Sequence, residues 1–496
     1  MFLPPGASHP EPEERRGQRN PLAVRFLRYQ EVLPWSVTPE QFAHENFLAV
    51  TANARSVWTP SWEGRASVHV VFSTDCSAFQ NWQSRVLFDS ARRVGHVGPI
   101  TRIASGCAED QAIELAEVMR TDNFFSQGGK NGDSWFVHFT PHFSKDHKTG
   151  KDYKFYNKPR GILHWLKHGL GGAGSSGKRE QQHGEFFSGG NAAVFANDIE
   201  ERERPNLWPN VVALIDPDEI FLQPLSVWVR NSSNLLVTAP VKRDEESLPV
   251  AVERGRPAAQ FYGLGDRWLR FKREYICGVG SPCLNVTSRE AWRYYSIGPP
   301  YVAHVSDWIP LASSWVKFVP KVYEEYPQLL AEMYAYSLAA AHCRLPHARV
   351  DHYMVSNVGS YGEAWLHVDT MASVCAPGLP LSGKRGNVSI QLPTFLHACQ
   401  SYQAGAASFS KRRVKHDIFK GCYGKLLNEP NEDIVSSGMQ ASVTKVALER
   451  AKKRRKLTKE EDAALKKKRN AFVVCTASKY VNAAIQTHRK FNCNRY

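Results

Sequence analysis

Two stretches of the chain are almost purely apolar, and both stop at acidic residues. Val68-His69-Val70-Val71-Phe72 ends in Ser73-Thr74-Asp75-Cys76, and Val211-Val212-Ala213-Leu214-Ile215 ends in Asp216-Pro217-Asp218. Runs this rich in Val, Leu and Ile predict strands buried on both faces, as in a parallel sheet. Pro217 cannot donate to a ladder, so the second strand should end before it. Between the two runs, Phe79–Val94 places Phe79, Trp82, Val86, Leu87 and Val94 against Arg85, Arg92 and Arg93, the pattern of an amphipathic helix. Gly95–Pro99 turns the chain, and Ile100–Ile103 reads as a short third strand. Strand, helix, strand in that order is a βαβ unit. The expected class is therefore α/β, with a mostly parallel central sheet flanked by helices.

The pattern then becomes mixed. Residues 121–151 are polar and read as loop. Arg160–Leu166 reads as a short helix with Pro159 near its first turn. Ile220–Leu225 continues past the acidic turn. Ala258–Tyr275 and Leu329–His342 read as helices, Gly298-Pro299-Pro300-Tyr301 as a turn, and 364–369 and 388–392 as short strands. Val443–Asn470 is a charged helix with little apolar stripe, expected to be a solvated appendage. These readings divide the chain into a partly disordered N-terminal extension (1–66), a main domain (67–440) carrying a flexible Gly/Ser-rich insertion (169–190), and a basic helical C-terminal tail (441–496).

Composition narrows the class. A chain of 496 residues with 42% hydrophobic positions and 13 Trp can bury a large core. No apolar run reaches the roughly 18 residues of a membrane span. Residues 1–20 carry no apolar signal-peptide core, so a soluble chain with no visible targeting or anchor segment is expected. The net charge is +15, but residues 441–470 hold 12 Lys/Arg against 4 Asp/Glu, a balance of +8. More than half of the excess sits in one segment, which argues against a nucleic-acid surface spread over the molecule. The runs Lys452–Lys456 and Lys466–Arg469 keep alive an alternative: a nuclear or nucleic-acid-binding protein that uses this tail. Ten Cys with no CxxC pair give a structural zinc site no support. Cys277 and Cys283, and Cys399 and Cys422, are close enough to close small loops. Sequons at Asn231, Asn285 and Asn387 permit an oxidising, luminal setting.

The chemistry gathers at the strand ends. Open α/β sheets bind ligands beyond the carboxyl ends of their strands. Asp216 and Asp218 are hard oxygen ligands suited to Mn²⁺ or Mg²⁺ carrying a diphosphate. Thr74 and Asp75 could receive a base or ribose, and Asp75 could equally cap the following helix. Lys158, after Asn157, is a point charge suited to a leaving diphosphate. Glu332 lies in an apolar helix and, if buried, needs a partner. His367, in a presumed strand, is a candidate additional metal ligand. Trp308, Trp315, Tyr323 and Tyr326 suit either a core or a groove for an extended peptide.

Several blocks, in order over residues 67–425, resemble the hydroxyproline O-arabinosyltransferase and peptidyl serine α-galactosyltransferase group of plants and algae. They are Val71–Cys76 with Trp82-Gln83, Gly98–Arg102, Tyr156–Pro159 with Trp165, Ile215–Asp218, Arg256–Gly263, Gly298–Tyr301, Glu332–Ser337 and Leu366-His367. The resemblance implies a GT-A-like nucleotide-sugar-binding fold in the Golgi or endoplasmic reticulum lumen. It implies a metal-dependent, retaining transfer of arabinofuranose or galactose from a UDP-sugar to a hydroxyl of hydroxyproline or serine in a secreted or cell-wall glycoprotein. Under it, Asp216, Asp218 and His367 hold Mn²⁺ (or Mg²⁺). Thr74, Asp75, Asn157, Lys158 and Asp216 bind the donor, and Glu332 and Asp218 act at the reacting centre. The acceptor is a hydroxyproline- or serine-rich peptide, and no nucleic acid is expected. A catalytically inactive sugar-binding relative is the remaining alternative. The tail at 441–470 and the insertion at 169–190 have no counterpart in the resemblance.

Overall fold

The computed structural model describes residues 68–493 except 127, 129–134, 146–149, 151, 170–192, 196–210, 228–250, 361–362, 372, 376–391, 431–441, 448 and 450–456. The expected N-terminal extension, nearly all of the 169–190 insertion, most of the 388–392 strand, the sequons at Asn231 and Asn387, and Lys452–Lys456 lie outside the described residues.

Both apolar runs are strands, β1 (His69–Thr74) and, further along the chain, β5 (Val211–Ile215). They lie side by side and parallel, with Phe72 opposite Ile215. Alternation along them feeds both faces. Val71, Val212 and Leu214 enter one apolar cluster, and Val70, Phe72, Ala213 and Ile215 enter another. This is why the sequence shows unbroken apolar runs there. The helix α1 (Ala78–Val94) follows β1. The Ser77 hydroxyl accepts the Gln80 amide at its start, and Gly95 ends it in the left-handed conformation, φ 69°. Then come β2 (Ile100–Ser105), the helix α2 (Glu109–Thr121), β3 (Trp135–Thr140) and β4 (Ala193–Phe195). With β7 (Ala258–Phe261), β8 (Ile297–His304) and β9 (Ala348–Val350) they complete one sheet in the order β4-β3-β2-β1-β5-β8-β7-β9. The strands β4 and β8 run against the rest. The sheet is thus mixed and mostly parallel, flanked by helices, and the α/β expectation holds. The helices α3 (Asn157–His168), α4 (Val305–Glu325) and α5 (Ala331–His342) supply one covering layer.

Several local expectations fail. The presumed loop at 121–151 contains β3, whose Trp135, Phe136 and Val137 are buried. The presumed helix at Ala258–Tyr275 begins as β7, because Ala258–Gln260 are buried between β8 and β9; helical turns follow only at Arg267–Arg270 and Arg273–Cys277. Helix-favouring alanines yield here to tertiary pairing. The presumed turn at Gly298–Tyr301 lies inside β8, and the β7–β8 register shifts nearby, between Ala259 and Gln260, an irregularity that lets prolines sit in a strand. The presumed strand at 364–369 is the short helix α6 (Trp365–Asp369). Trp308 and Trp315 are fully buried, donating to the carbonyls of Val212 and Glu332, so they line no groove; Tyr323 and Tyr326 remain partly exposed.

A second, smaller sheet starts directly after the acidic turn. It consists of β6 (Glu219–Phe221), β10 (Met354–Val355) and β11 (Phe395–His397), in the order β10-β11-β6. A hairpin, β12 (Ser401–Ala404) and β13 (Ala407–Ser410), follows β11.

The charged C-terminal helix is not a solvated appendage. The helix α7 runs over Lys459–Asn492, and its Phe472, Val473, Val474, Val481 and Ile485 join the core beneath the hairpin. Cys375–Cys475 and Cys422–Cys493 bond it to the rest of the chain, so Cys422 pairs with Cys493 and not with Cys399, which is free. Cys277–Cys283 forms as its spacing allows, and Cys76–Cys107 joins the ends of β1 and β2. Half of the basic run is buried. The Lys468 ammonium donates to the carbonyls of Asp369 and Met371, and Arg469 forks onto the Asp369 carboxylate at 2.9 and 2.6 Å. Lys468 and Arg469 are therefore structural cations and present nothing to a phosphate backbone.

Arg469→Met strands the Asp369 carboxylate in the core. It should destabilise the protein by about 3–5 kcal/mol, as read from the urea midpoint. A solvated helix predicts a loss of about 1 kcal/mol or less.

Candidate active site

In the main sheet β1 pairs with β2 on one side and β5 on the other, so the chain order reverses between β1 and β5. A crevice at such a reversal, beyond the strands' carboxyl ends, is where α/β sheets take ligands. The Asp216-Pro217-Asp218 turn lies there, as Pro217 dictates, and the Glu219 amide closes it by donating to the Asp216 carbonyl at 3.2 Å.

Glu219 opens β6, and β6 pairs antiparallel with β11 so that Glu219 lies directly opposite His397. This register brings Asp216, Glu219 and His397 together: one ligand atom from each lies within 4.8 Å of the others. Both Glu219 carboxylate oxygens are buried without a hydrogen-bond partner, as is His397 Nδ1. A buried carboxylate with no donor is costly. Burial pushes its pKa well above the usual value, the charges of Asp216 and Asp218 push it further, and His397 and Lys158 oppose the shift only in part. Two carboxylates and an imidazole are the donors that Mn²⁺ accepts: the Glu219 oxygens have no other partner, and His397 turns its Nε2 toward Asp216 and Asp218, at 3.8 and 3.3 Å. The residues fit a divalent cation.

Asp218 stands beside this group. Its carboxylate lies 3.3 Å from His397 Nε2 and accepts from the Lys411 ammonium. Burial alone would raise its pKa, but His397 and Lys411 hold it well below the usual range. His397 shows the reverse balance: burial disfavours its charge, yet Asp218, Cys399 and Asp216 raise its pKa well above the ordinary value.

Lys158, in the first turn of α3, donates at 2.8 Å to both Asp216 and Glu332. Burial would strip its proton, but these two carboxylates raise its pKa. Glu332 is buried, as its apolar helix requires, and Lys158 is the partner it needs; its second oxygen has none. The Glu332 amide donates to the Tyr153 hydroxyl.

The other expected residues lie in varied roles. Thr74 is buried and accepts from Arg102, which also donates to the Asp75 carbonyl. The Asp75 carboxylate is exposed and takes the Ser77 amide and hydroxyl, so Ser77 caps α1 while Asp75 braces the cap. The Asn157 side chain accepts the Phe143 amide and secures a loop. His367 lies buried on α6, where burial lowers its pKa to about 4, and it does not belong to the Asp216–Glu219–His397 group. Glu219, His397 and Lys411 were not singled out from sequence. The signal for Glu219 was present, a third carboxylate directly after Asp218. His397 and Lys411 reach the site only through the β6–β11 register and the hairpin.

Adding Mn²⁺ should raise the melting temperature of the wild type, by about 2.7 kcal/mol of stabilisation at a hundredfold excess over the dissociation constant. Glu219→Gln and His397→Ala should each lose this shift, and His367→Ala should keep it. A shift kept by His397→Ala and lost by His367→Ala would restore the ligand set expected from sequence.

No protein-family model matches the chain. It is similar to the peptidyl serine alpha-galactosyltransferase of Arabidopsis thaliana, 23% identical over 301 residues that cover 58% of this chain and 28% of the plant protein. It is similar also to the protein of that name from Chlamydomonas reinhardtii, 30% identical over 125 residues, 25% of this chain and 15% of the algal protein. The matched region is thus under a third of either relative's length, and over it the chain is related to these plant and algal proteins.

Proposed function

We propose that the chain is a metal-dependent glycosyltransferase that moves a sugar from a UDP-sugar to a hydroxyl of a secreted peptide. The observation that carries this reading is the Asp216–Glu219–His397 group with its orphaned donor atoms, at the β1–β5 reversal beside Lys158 and Glu332. The names of the two relatives favour galactose as the sugar and serine as the acceptor; arabinofuranose and hydroxyproline are the second choice. A GT-A-like donor fold and a lumen of the secretory pathway belong to the same reading. Four disulfides among the described residues suit an oxidising compartment. No described helix is long and apolar enough to cross a membrane.

A divalent cation held by Asp216, Glu219 and His397, with Asp218 beside them, would supply positive charge for the diphosphate as it leaves. Lys158 adds a fixed ammonium next to Asp216, preorganised by Glu332 and paid for by neither solvent nor motion. Thr74 and Asp75, at the end of the neighbouring strand, would lie on the nucleoside side, with the Thr74 hydroxyl already held between the Ile103 carbonyl and Arg102. Glu332 is 3% exposed and already engaged by Lys158. That burial favours a role in holding Lys158 over direct attack on the sugar. Retention then follows from same-face attack, in which the departing diphosphate takes the acceptor's proton and the protein positions both substrates. Tyr323 and Tyr326 are partly exposed, but their rings are engaged by Tyr153 and by Phe271 and Arg267, so they make a weak case for a peptide groove.

The test is sugar release and transfer from a panel of UDP-sugars with Mn²⁺, with and without a serine- or hydroxyproline-rich peptide. Peptide-dependent transfer, reduced by about a thousandfold or more in Asp216→Asn, is the expected result. Wild-type rates in that variant would refute the metal-centred reading.

A further inference from the structure

The pairing of Lys411 with Asp218 leads beyond the ligand set. Lys411 directly follows β13, and the side chain is 22% exposed while its partner Asp218 is 7% exposed. Only the stretch from β11 through the hairpin separates it from His397, so a metal ligand and this cation hang on one piece of chain. That piece is anchored: the Tyr402 hydroxyl donates to the Ser356 carbonyl, and the Gln403 amide donates to the Asn470 side chain on α7.

The two lysines of the site are held differently. Lys158 bridges two carboxylates, and its departure would leave Glu332 buried without its partner. Among the described residues Lys411 pairs with a single carboxylate, and its side chain is more exposed than that partner. Asp218 also has His397 at 3.3 Å and lies beside the group that would take a dication. Positive charge entering there supplies Asp218 with a new counter-charge and repels the Lys411 ammonium. A lysine is a compact charge on a flexible stem, with no fixed fork to a carboxylate, so it can change partner without backbone movement. The nearest strong anion in a loaded site is the diphosphate of the donor.

We propose that Lys411 is a counter-ion that changes partner. It neutralises Asp218 while the Asp216–Glu219–His397 group is empty of metal, and it pairs with the donor's diphosphate once a divalent cation is held there. This deepens the donor-site reading above and rests on it. It makes Lys411 a donor-binding residue, and it orders loading: cation first, nucleotide second.

The exchange gives Lys411→Met effects of opposite sign on two ligands. In titration calorimetry on the full chain, Mn²⁺ alone should bind Lys411→Met more tightly than wild type, by roughly three- to tenfold, because a competing charge is gone. UDP added at saturating Mn²⁺ should bind it more weakly, by about tenfold or more, because a phosphate contact is gone. Lys411→Arg keeps the charge and should stay within about threefold of wild type for UDP. If both affinities fall together in Lys411→Met, the residue is merely structural; if neither moves, Lys411 plays no part in loading. Either result overturns the exchange while leaving the donor site standing. A wild type that binds neither Mn²⁺ nor UDP overturns the donor-site reading and the exchange with it.

Discussion

Too many carboxylates share one buried corner of this molecule. Asp216, Asp218, Glu219 and Glu332 converge where β1 and β5 end, and like charges so close in a low-dielectric setting cannot all ionise uncompensated. The fold answers with two ammonium groups and an imidazole: Lys158 between Asp216 and Glu332, Lys411 on Asp218, and His397 beside Asp218 and Asp216. Glu219 is left over. Neither oxygen has a donor, and burial together with the neighbouring carboxylates raises its pKa well above the usual value. A protein selected for stability alone would replace such a residue by an apolar or amide side chain. Its presence opposite His397 is what supports the proposed cation site.

The rest of the architecture keeps that corner together. Asp216 comes from the main sheet, and Glu219 and His397 from the second sheet, whose register alone sets them face to face. His397 and Lys411 depend on the hairpin, and the hairpin packs on α7 in the same apolar cluster as Trp365 and Leu396. Two disulfides and the buried Arg469–Asp369 pair fix α7 in turn. A segment whose charge suggested a separate tail is therefore part of what holds the site.

What the sequence made legible was local. β1, β5 and α1 follow from periodicity, and the end of β5 follows from Pro217. The burial of Glu332 and its need of a partner were readable from an apolar helix, though not which cation would answer. What it hid was set by tertiary pairing. β7 opens with Ala258-Ala259-Gln260, whose helix propensity is overridden by burial between two strands. β8 carries two prolines that read as a turn. α7 has a charged N-terminal half that masks an apolar C-terminal half. His397 carried no sequence signal, because a contact between Glu219 and His397 is invisible to any local pattern. The resemblance pointed to a histidine late in the chain, and the sheet register favours a different one.

Anomalous diffraction from crystals grown with Mn²⁺ and UDP tests the central claim most directly. The account predicts a single strong peak about 2.0–2.3 Å from carboxylate oxygens of Asp216 and Glu219 and from a ring nitrogen of His397, with the diphosphate on its open side. A peak on His367, or no peak at the end of β5, would contradict it.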